Sequence, residues 1–283
     1  MISNQAKSYF KFIDKFKYLV FKKFFKSNLN KFIDLIKFGT IPRPHYALGL
    51  LMAAHEAYCL GYKKISIIEF GCWECDGLID LENYISDIKN IFNIDFDVYG
   101  FDLGDGHPEY NRNPRDRLYE LSKGDYPFNK KDNLNKLKIT EMIWGDVRDT
   151  LKDFSKKKNL KDAPVGFISF DLGLYTSTKY AIDFLNEESN FFLPRTVLYF
   201  DNKYFVLDNE GDMLALNEFN KISKKQISPI GELAEQLSLS WNKWIFLGKR
   251  IYNLSDLNHE KYSVHYDQAI NIRINKRFTK TLI

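Results

Sequence analysis

Five short apolar runs, each ending at a turn that carries an acid, constrain this chain more than any other feature. The runs are 64–70, with Glu69 beside Gly71, 96–101 followed by Asp102, 138–144 followed by Gly145 and Asp146, 165–170 followed by Asp171, and 196–200 followed by Asp201. Helical spacing resumes between them, as at 76–88. Nearly continuous apolar strands alternating with helices predict a parallel sheet covered on both faces. The reading is therefore α/β: a Rossmann-like, mostly parallel sheet of seven strands with helices on both faces. Runs at 244–247 and 269–274 supply the last two strands as an antiparallel pair. In such a sheet ligands bind beyond the carboxyl ends of the strands, where Glu69, Asp102, Asp146, Asp171 and Asp201 converge.

At 283 residues, one α/β domain at 41–283 preceded by a helical segment at 1–40 accounts for the whole chain. Residues 7–37 hold nine lysines against Asp14 and Asp34, so the net charge of +4 resides in this segment. Phe10, Phe12, Ile13, Phe16, Leu19, Val20 and Phe24 lie between the lysines, which makes 8–38 an amphipathic arm. Such an arm caps a core or joins two copies in a homo-oligomer more often than it lies on a membrane surface. The charge surplus is too small for a nucleic-acid-binding face. Lysines interrupt every apolar stretch that could cross a bilayer. Three cysteines without a secretory leader fit a reducing cytoplasm.

The first turn, Glu69-Phe70-Gly71-Cys72-Trp73-Glu74-Cys75-Asp76-Gly77, passes from strand to helix. A pyrophosphate-binding loop needs three closely spaced glycines, and Glu74 would repel that anion. A cationic ligand suits the turn better. Asp102 stands where an acid can accept hydrogen bonds from two ribose hydroxyls. Cys72-Trp73-Glu74-Cys75 is also a C-x-x-C, which raises a thiol oxidoreductase as an alternative, although four further strand-helix units do not suit a thioredoxin module. Zinc lacks a second ligand pair.

The turn resembles motif I of class I methyltransferases, which implies S-adenosylmethionine held by Glu69, Gly71, Cys72, Trp73, Gly77, Asp102, Asp146 and Asp171, with Gly145-Asp146-Val147 at the adenine. Trp73 and Cys75 replace small residues of that motif. Gly166-Phe167-Ile168-Ser169-Phe170-Asp171-Leu172-Gly173-Leu174-Tyr175-Thr176-Ser177-Thr178, Leu193-Pro194-Arg195 and Tyr199-Phe200-Asp201-Asn202 are similar to the macrocin-type O-methyltransferase family, which includes sugar methyltransferases. So are Arg43-Pro44-His45-Tyr46-Ala47, Gly61-Tyr62, Phe101-Asp102-Leu103-Gly104-Asp105-Gly106 and Lys123-Gly124-Asp125-Tyr126-Pro127. The likeness spans about residues 40–220 and implies methylation of a sugar or other small hydroxylated acceptor, in surface-polysaccharide or secondary-metabolite biosynthesis.

That family also implies a divalent metal, usually magnesium, on Asp171, Asp201 and Asn202. Metal binding lowers a hydroxyl's pKa, and oxygen ligands suit magnesium. Gly173 replaces one acid of the family pattern, and Asn202 replaces another. Asp171 and His107 are the catalytic candidates, His107 as a base near neutral pH or else an ordinary loop histidine. His45 supports the donor pocket in this reading. Tyr110, Tyr126, Tyr175 and Tyr204 suit stacking on sugar faces. A non-catalytic protein of the same fold is the other alternative, suggested by Trp73, Cys75 and Gly173.

Overall fold

The structure is a computed structural model that describes residues 32, 33, 35, 36, 40–109, 113–116, 122–129, 131–201, 210–230 and 250–264. Helix α1 (Pro44–Cys59) begins with a proline in its first turn, where the missing N–H costs nothing. It ends before Gly61, whose φ of 77° closes the helix as expected. The alternation then runs β1 (Lys64–Phe70), α2 (Asp76–Phe92), β2 (Asp95–Asp102), a short α3 (Lys131–Leu134), β3 (Thr140–Trp144), α4 (Val147–Lys157), β4 (Val165–Phe170), α5 (Tyr175–Asp183), β5 (Phe192–Phe200), α6 (Gly211–Ile222), β6 (Gln226–Pro229) and β7 (Ile251–Ser255). The sheet order is β3-β2-β1-β4-β5-β7-β6. The first five strands are parallel, and β7 is antiparallel to both its neighbours.

β1 and β4 lie at the centre and are buried along almost their whole length, which explains why their sequences are apolar without alternation. One core forms under α1 and α2, and a second under α4, α5 and α6. Phe70, Phe101, Phe170 and Phe200, the first, third and fourth of which end their strands, belong to the second core. Their rings meet at 5.0 Å for Phe70 and Phe101, 5.4 Å for Phe70 and Phe170, and 4.6 Å for Phe170 and Phe200. Each such ring contributes about 2–3 kcal/mol by burial. This aromatic row holds the strand ends level, and the next residues are Gly71, Asp102, Asp171 and Asp201.

Three boundaries differ from the sequence reading. The third strand begins at Thr140 rather than 138, because the Glu82 carboxylate on α2 accepts the amides of Lys138 and Ile139 and so takes them from the ladder. The fifth begins at Phe192, four residues early, and accommodates Pro194 through a register shift against β4. The antiparallel pair is built from 226–229 and 251–255. The runs at 244–247 and 269–274 lie outside the described residues.

Most of the basic arm also lies outside them, but Phe32, Ile33 and Ile36 at its end are buried in the first core. Phe32 meets the Tyr84 ring of α2 at 6.1 Å. That end of the segment caps the core.

Candidate active site

β1 and β4 are neighbours, but the sheet order runs outward from them in opposite directions, so a crevice opens between the loops that leave their carboxyl ends. Gly71 sits at the pinch of that crevice. Its φ is 81°, and a β-carbon there would stand 2.1 Å from the Asp171 carbonyl oxygen. Only glycine lets the two loops approach this closely. The Asp171 amide in turn donates to the Phe70 carbonyl at 2.8 Å.

Asp102 organises the first loop. Its Oδ2 accepts the amides of Cys72 and Trp73, both at 2.8 Å, and its Oδ1 accepts the Gly104 amide at 2.7 Å. One carboxylate therefore ties the loop after β1 to the loop after β2. The loop is strained as well as tied: Trp73 and Cys75 have φ of 43° and 61°, a region that costs non-glycine residues about 1–2 kcal/mol each.

Glu69 lies beneath this loop rather than in the cleft. It is buried, its Oε1 accepts the Tyr46 hydroxyl at 2.6 Å, and that hydroxyl is 2.8 Å from Ser169 Oγ. A β-carbon on Gly77 would collide with the same carboxyl, so this glycine is a cradle for Glu69. Among the described residues Oε2 has no hydrogen-bond partner. Burial pushes the Glu69 pKa up to about 7, with Asp80 and Asp102 adding to the rise and Tyr46 and Arg43 opposing it.

Because the folded pKa exceeds the ordinary value, the folded state holds the extra proton between about pH 4.5 and pH 7. The stability this proton provides is complete below pH 4.5 and lost as pH rises through 7. Glu69→Gln, which keeps an acceptor for Tyr46, should match the wild type in thermal unfolding at pH 5. At pH 8 it should exceed the wild type by up to about 3 kcal/mol. A constant difference across that range would mean Glu69 is ionised in the folded protein.

The opposite wall is a double loop. His107 donates its amide to the Asp125 carbonyl at 2.7 Å, Gly124 donates to the His107 carbonyl at 2.9 Å, and Phe128 donates to the Gly104 carbonyl at 2.9 Å. This pairing carries His107, Asp125 and Tyr126 to the cleft. Tyr126, with φ of 59°, packs its ring edge-on against Trp73 at 5.3 Å, and both rings remain about half exposed at the rim.

At the other end Asp171 and Asp201 follow adjacent strands, and both line the cleft. Asp201 Oδ1 accepts the Tyr199 hydroxyl and Arg250 Nη1, each at 3.0 Å. Burial and the neighbouring Asp201 charge push the Tyr199 phenol well above its ordinary range. His45 stacks on the Tyr199 ring at 4.3 Å, which places His45 behind the cleft wall as a support. Asp212, at the start of α6, also lines the cleft and accepts the Thr178 hydroxyl at 2.5 Å.

Asp146 caps α4 through the Arg148 amide and holds the Arg148 side chain in a two-point ion pair, which lowers its pKa. In all, Asp102, Asp125, Asp146, Asp171, Asp201 and Asp212 line the cleft, and among the described residues no lysine or arginine does. Such a cleft attracts cations.

The structure thus brings together Gly71, Trp73, Asp102, His107, Asp146, Asp171 and Asp201 of the residues singled out in the sequence. Glu69, Cys72 and Gly77 support the loop from below, and Asn202 lies outside the described residues. Sequence reasoning missed Asp212, Ser177 and Arg250. Thr178 and Ser177 sit in a quoted motif, but nothing local ties them to an aspartate 34 residues away.

Both loop thiols are buried, and no disulfide joins them. Burial, reinforced by Glu69 and Asp102, pushes Cys72 well above the usual thiol range and Cys75 up to about 12. A redox dithiol needs the opposite environment.

No family model matches the chain, and no curated protein sequence does. Among solved structures, the calicheamicin methyltransferase CalS11 superposes with a TM-score of 0.50 at 16% identity, covering 81% of this chain and 90% of that one. The O-methyltransferase NovP gives 0.48 at 14% identity, with 75% and 79% covered. An O-methyltransferase from Bacillus cereus in complex with SAH gives 0.45 at 13%, with 86% and 97% covered. The chain has the methyltransferase fold.

Proposed function

We propose that this chain transfers a methyl group from S-adenosylmethionine to a hydroxyl of a small acceptor, a sugar or a similarly hydroxylated molecule. The observation that carries this reading is the cleft at the β1/β4 switch point, pinched by Gly71 and lined by six aspartates. S-adenosylmethionine supplies a methyl group already activated on a cationic sulfur. A cleft of this charge suits its sulfonium and ammonium groups and disfavours a pyrophosphate. The glycine pinch and the Asp102-bound amides fit its close approach to the backbone.

In this reading Asp102 faces the ribose while holding the loop, and Gly145, Asp146 and Val147 border the adenine. Trp73 and Tyr126 shield the cleft mouth from water. Asp171 stands between the glycine pinch and Asp201, so the acceptor hydroxyl enters there and donates its hydrogen bond to the Asp171 carboxylate. As the new C–O bond forms and the S–CH3 bond breaks, releasing S-adenosylhomocysteine, Asp171 accepts the hydroxyl proton and passes it to His107, which borders the same cleft. Holding the acceptor oxygen in line with the methyl supplies much of the rate enhancement.

The described residues do not fit a divalent metal. Asp201 already serves Arg250 and Tyr199, Gly173 contributes no ligand, and among the described residues no three His, Cys, Asp or Glu side chains gather as a metal site. The proposed reaction has no metal-dependent step.

Among the described residues no helix is long and apolar enough to cross a membrane. A cytoplasmic enzyme with a small-molecule substrate, without a nucleic-acid partner and with a basic arm available for self-association, is the setting this reading favours. Incubating the full chain with methyl-labelled donor and a panel of sugars and glycosides tests it. Label should pass to an acceptor, and Asp171→Asn should reduce that transfer at least about 100-fold while donor binding persists. Transfer unaffected by Asp171→Asn would remove Asp171 from the reaction.

A further inference from the structure

We infer that Arg250 is the fixed cation of the acceptor end, occupying the carboxylate that a divalent ion would need. The inference rests on the methyl-transfer reading for its purpose, but the chemistry is visible in the side chains themselves. β7 runs antiparallel to β5, with Ile251 opposite Tyr199, so the residue that precedes β7 arrives where β5 ends. That residue is Arg250. Its carbonyl accepts the Phe200 amide at 3.1 Å, which fixes its backbone to the strand end, and its guanidinium reaches Asp201 Oδ1 at 3.0 Å.

The pair is well defended. Arg250 and Asp201 side chains are only 17% and 28% exposed, so water screens them weakly. Tyr199 donates to the same oxygen, and stacking on His45 holds the Tyr199 ring in place. Both donors fill Asp201 Oδ1, and a divalent ion on the other oxygen would sit beside a permanent positive charge. It would also need about six oxygen ligands. Gly173 supplies no side-chain ligand, and Asp212 accepts from Thr178.

A guanidinium differs from a metal in what it does for the acceptor. It holds Asp201 at the cleft wall, where the carboxylate can orient a hydroxyl. It does not bind that hydroxyl as a Lewis acid, so proton removal falls to a side chain. Arg250 is thus a positioning residue that acts through Asp201.

Manganese titration of the full chain, followed by the electron paramagnetic resonance signal of free Mn2+, tests this with no acceptor needed. The wild type should leave the signal of Mn2+ unchanged up to about 1 mM. Arg250→Met should gain one weak site with a dissociation constant on the order of 1 mM, and adding Asp201→Asn should remove it. Arg250→Lys, which keeps the charge, should remain free of Mn2+ like the wild type. A wild-type site of micromolar affinity that Asp201→Asn abolishes would overturn the inference, as would an Arg250→Met protein that is folded by circular dichroism yet gains no site. Binding of S-adenosylhomocysteine, measured on the same samples, separates failure of this inference from failure of the methyl-transfer reading.

Discussion

Asp102→Ala should weaken binding of S-adenosylhomocysteine at least about 100-fold, the largest loss expected from any single side chain in the cleft. The carboxylate holds three main-chain amides, those of Cys72, Trp73 and Gly104. Hydrogen bonds to a charged group contribute about 1.5–3 kcal/mol each, and without them the left-handed Trp73 keeps only its ring contact with Tyr126. The loop would relax away from the donor as the ribose lost its acceptor. Asp102→Asn, which keeps one oxygen but introduces an N–H that repels the amides, should fall between the two. Calorimetric titration measures both variants. An Asp102→Ala protein that binds as tightly as the wild type would mean that the loop is preorganised by other contacts.

Gly71→Ala should remove donor binding and lower the melting temperature by about 10 °C, whereas Gly61→Ala should lower it by only about 2–4 °C. The pair isolates one cause. Both glycines have φ near 80°, so alanine suffers the same left-handed penalty of about 1–2 kcal/mol at each. Among the described residues a β-carbon on Gly61 meets nothing within 4 Å, while at Gly71 it meets a backbone oxygen at 2.1 Å. A carbonyl at the end of a central strand cannot yield as a side chain can. Equal melting temperatures in the two variants would show that the loops after β1 and β4 are not in contact.

The parallel strands were legible because their burial is written into the chain as unbroken apolar runs, and the acids at their ends followed from turn chemistry. Asp102 ends β2 and lines the cleft, but its contacts with the Cys72 and Trp73 amides were not foreseeable, since they depend on the path of a loop about thirty residues earlier. Glu69 and Asp102 look alike in sequence, each an acid at a strand end. One is buried under Tyr46 and Gly77 and the other faces the cleft, a difference set by packing on α1.

Arg250 was hidden for another reason. Its position depends on which segment forms the antiparallel strand beside β5, and the weak alternation of 251–255 carries little periodic signal. Asp212 depends on how α6 docks against α5. Both belong to the acceptor end of the cleft, where long-range topology decides more than local pattern does.

Calorimetric titration of the full chain with S-adenosylhomocysteine tests the central claim most directly. The account predicts one molecule bound per chain with a micromolar dissociation constant, and binding lost in Gly71→Ala. No heat and no thermal stabilisation with millimolar S-adenosylhomocysteine or S-adenosylmethionine, on protein shown to be folded, would contradict it.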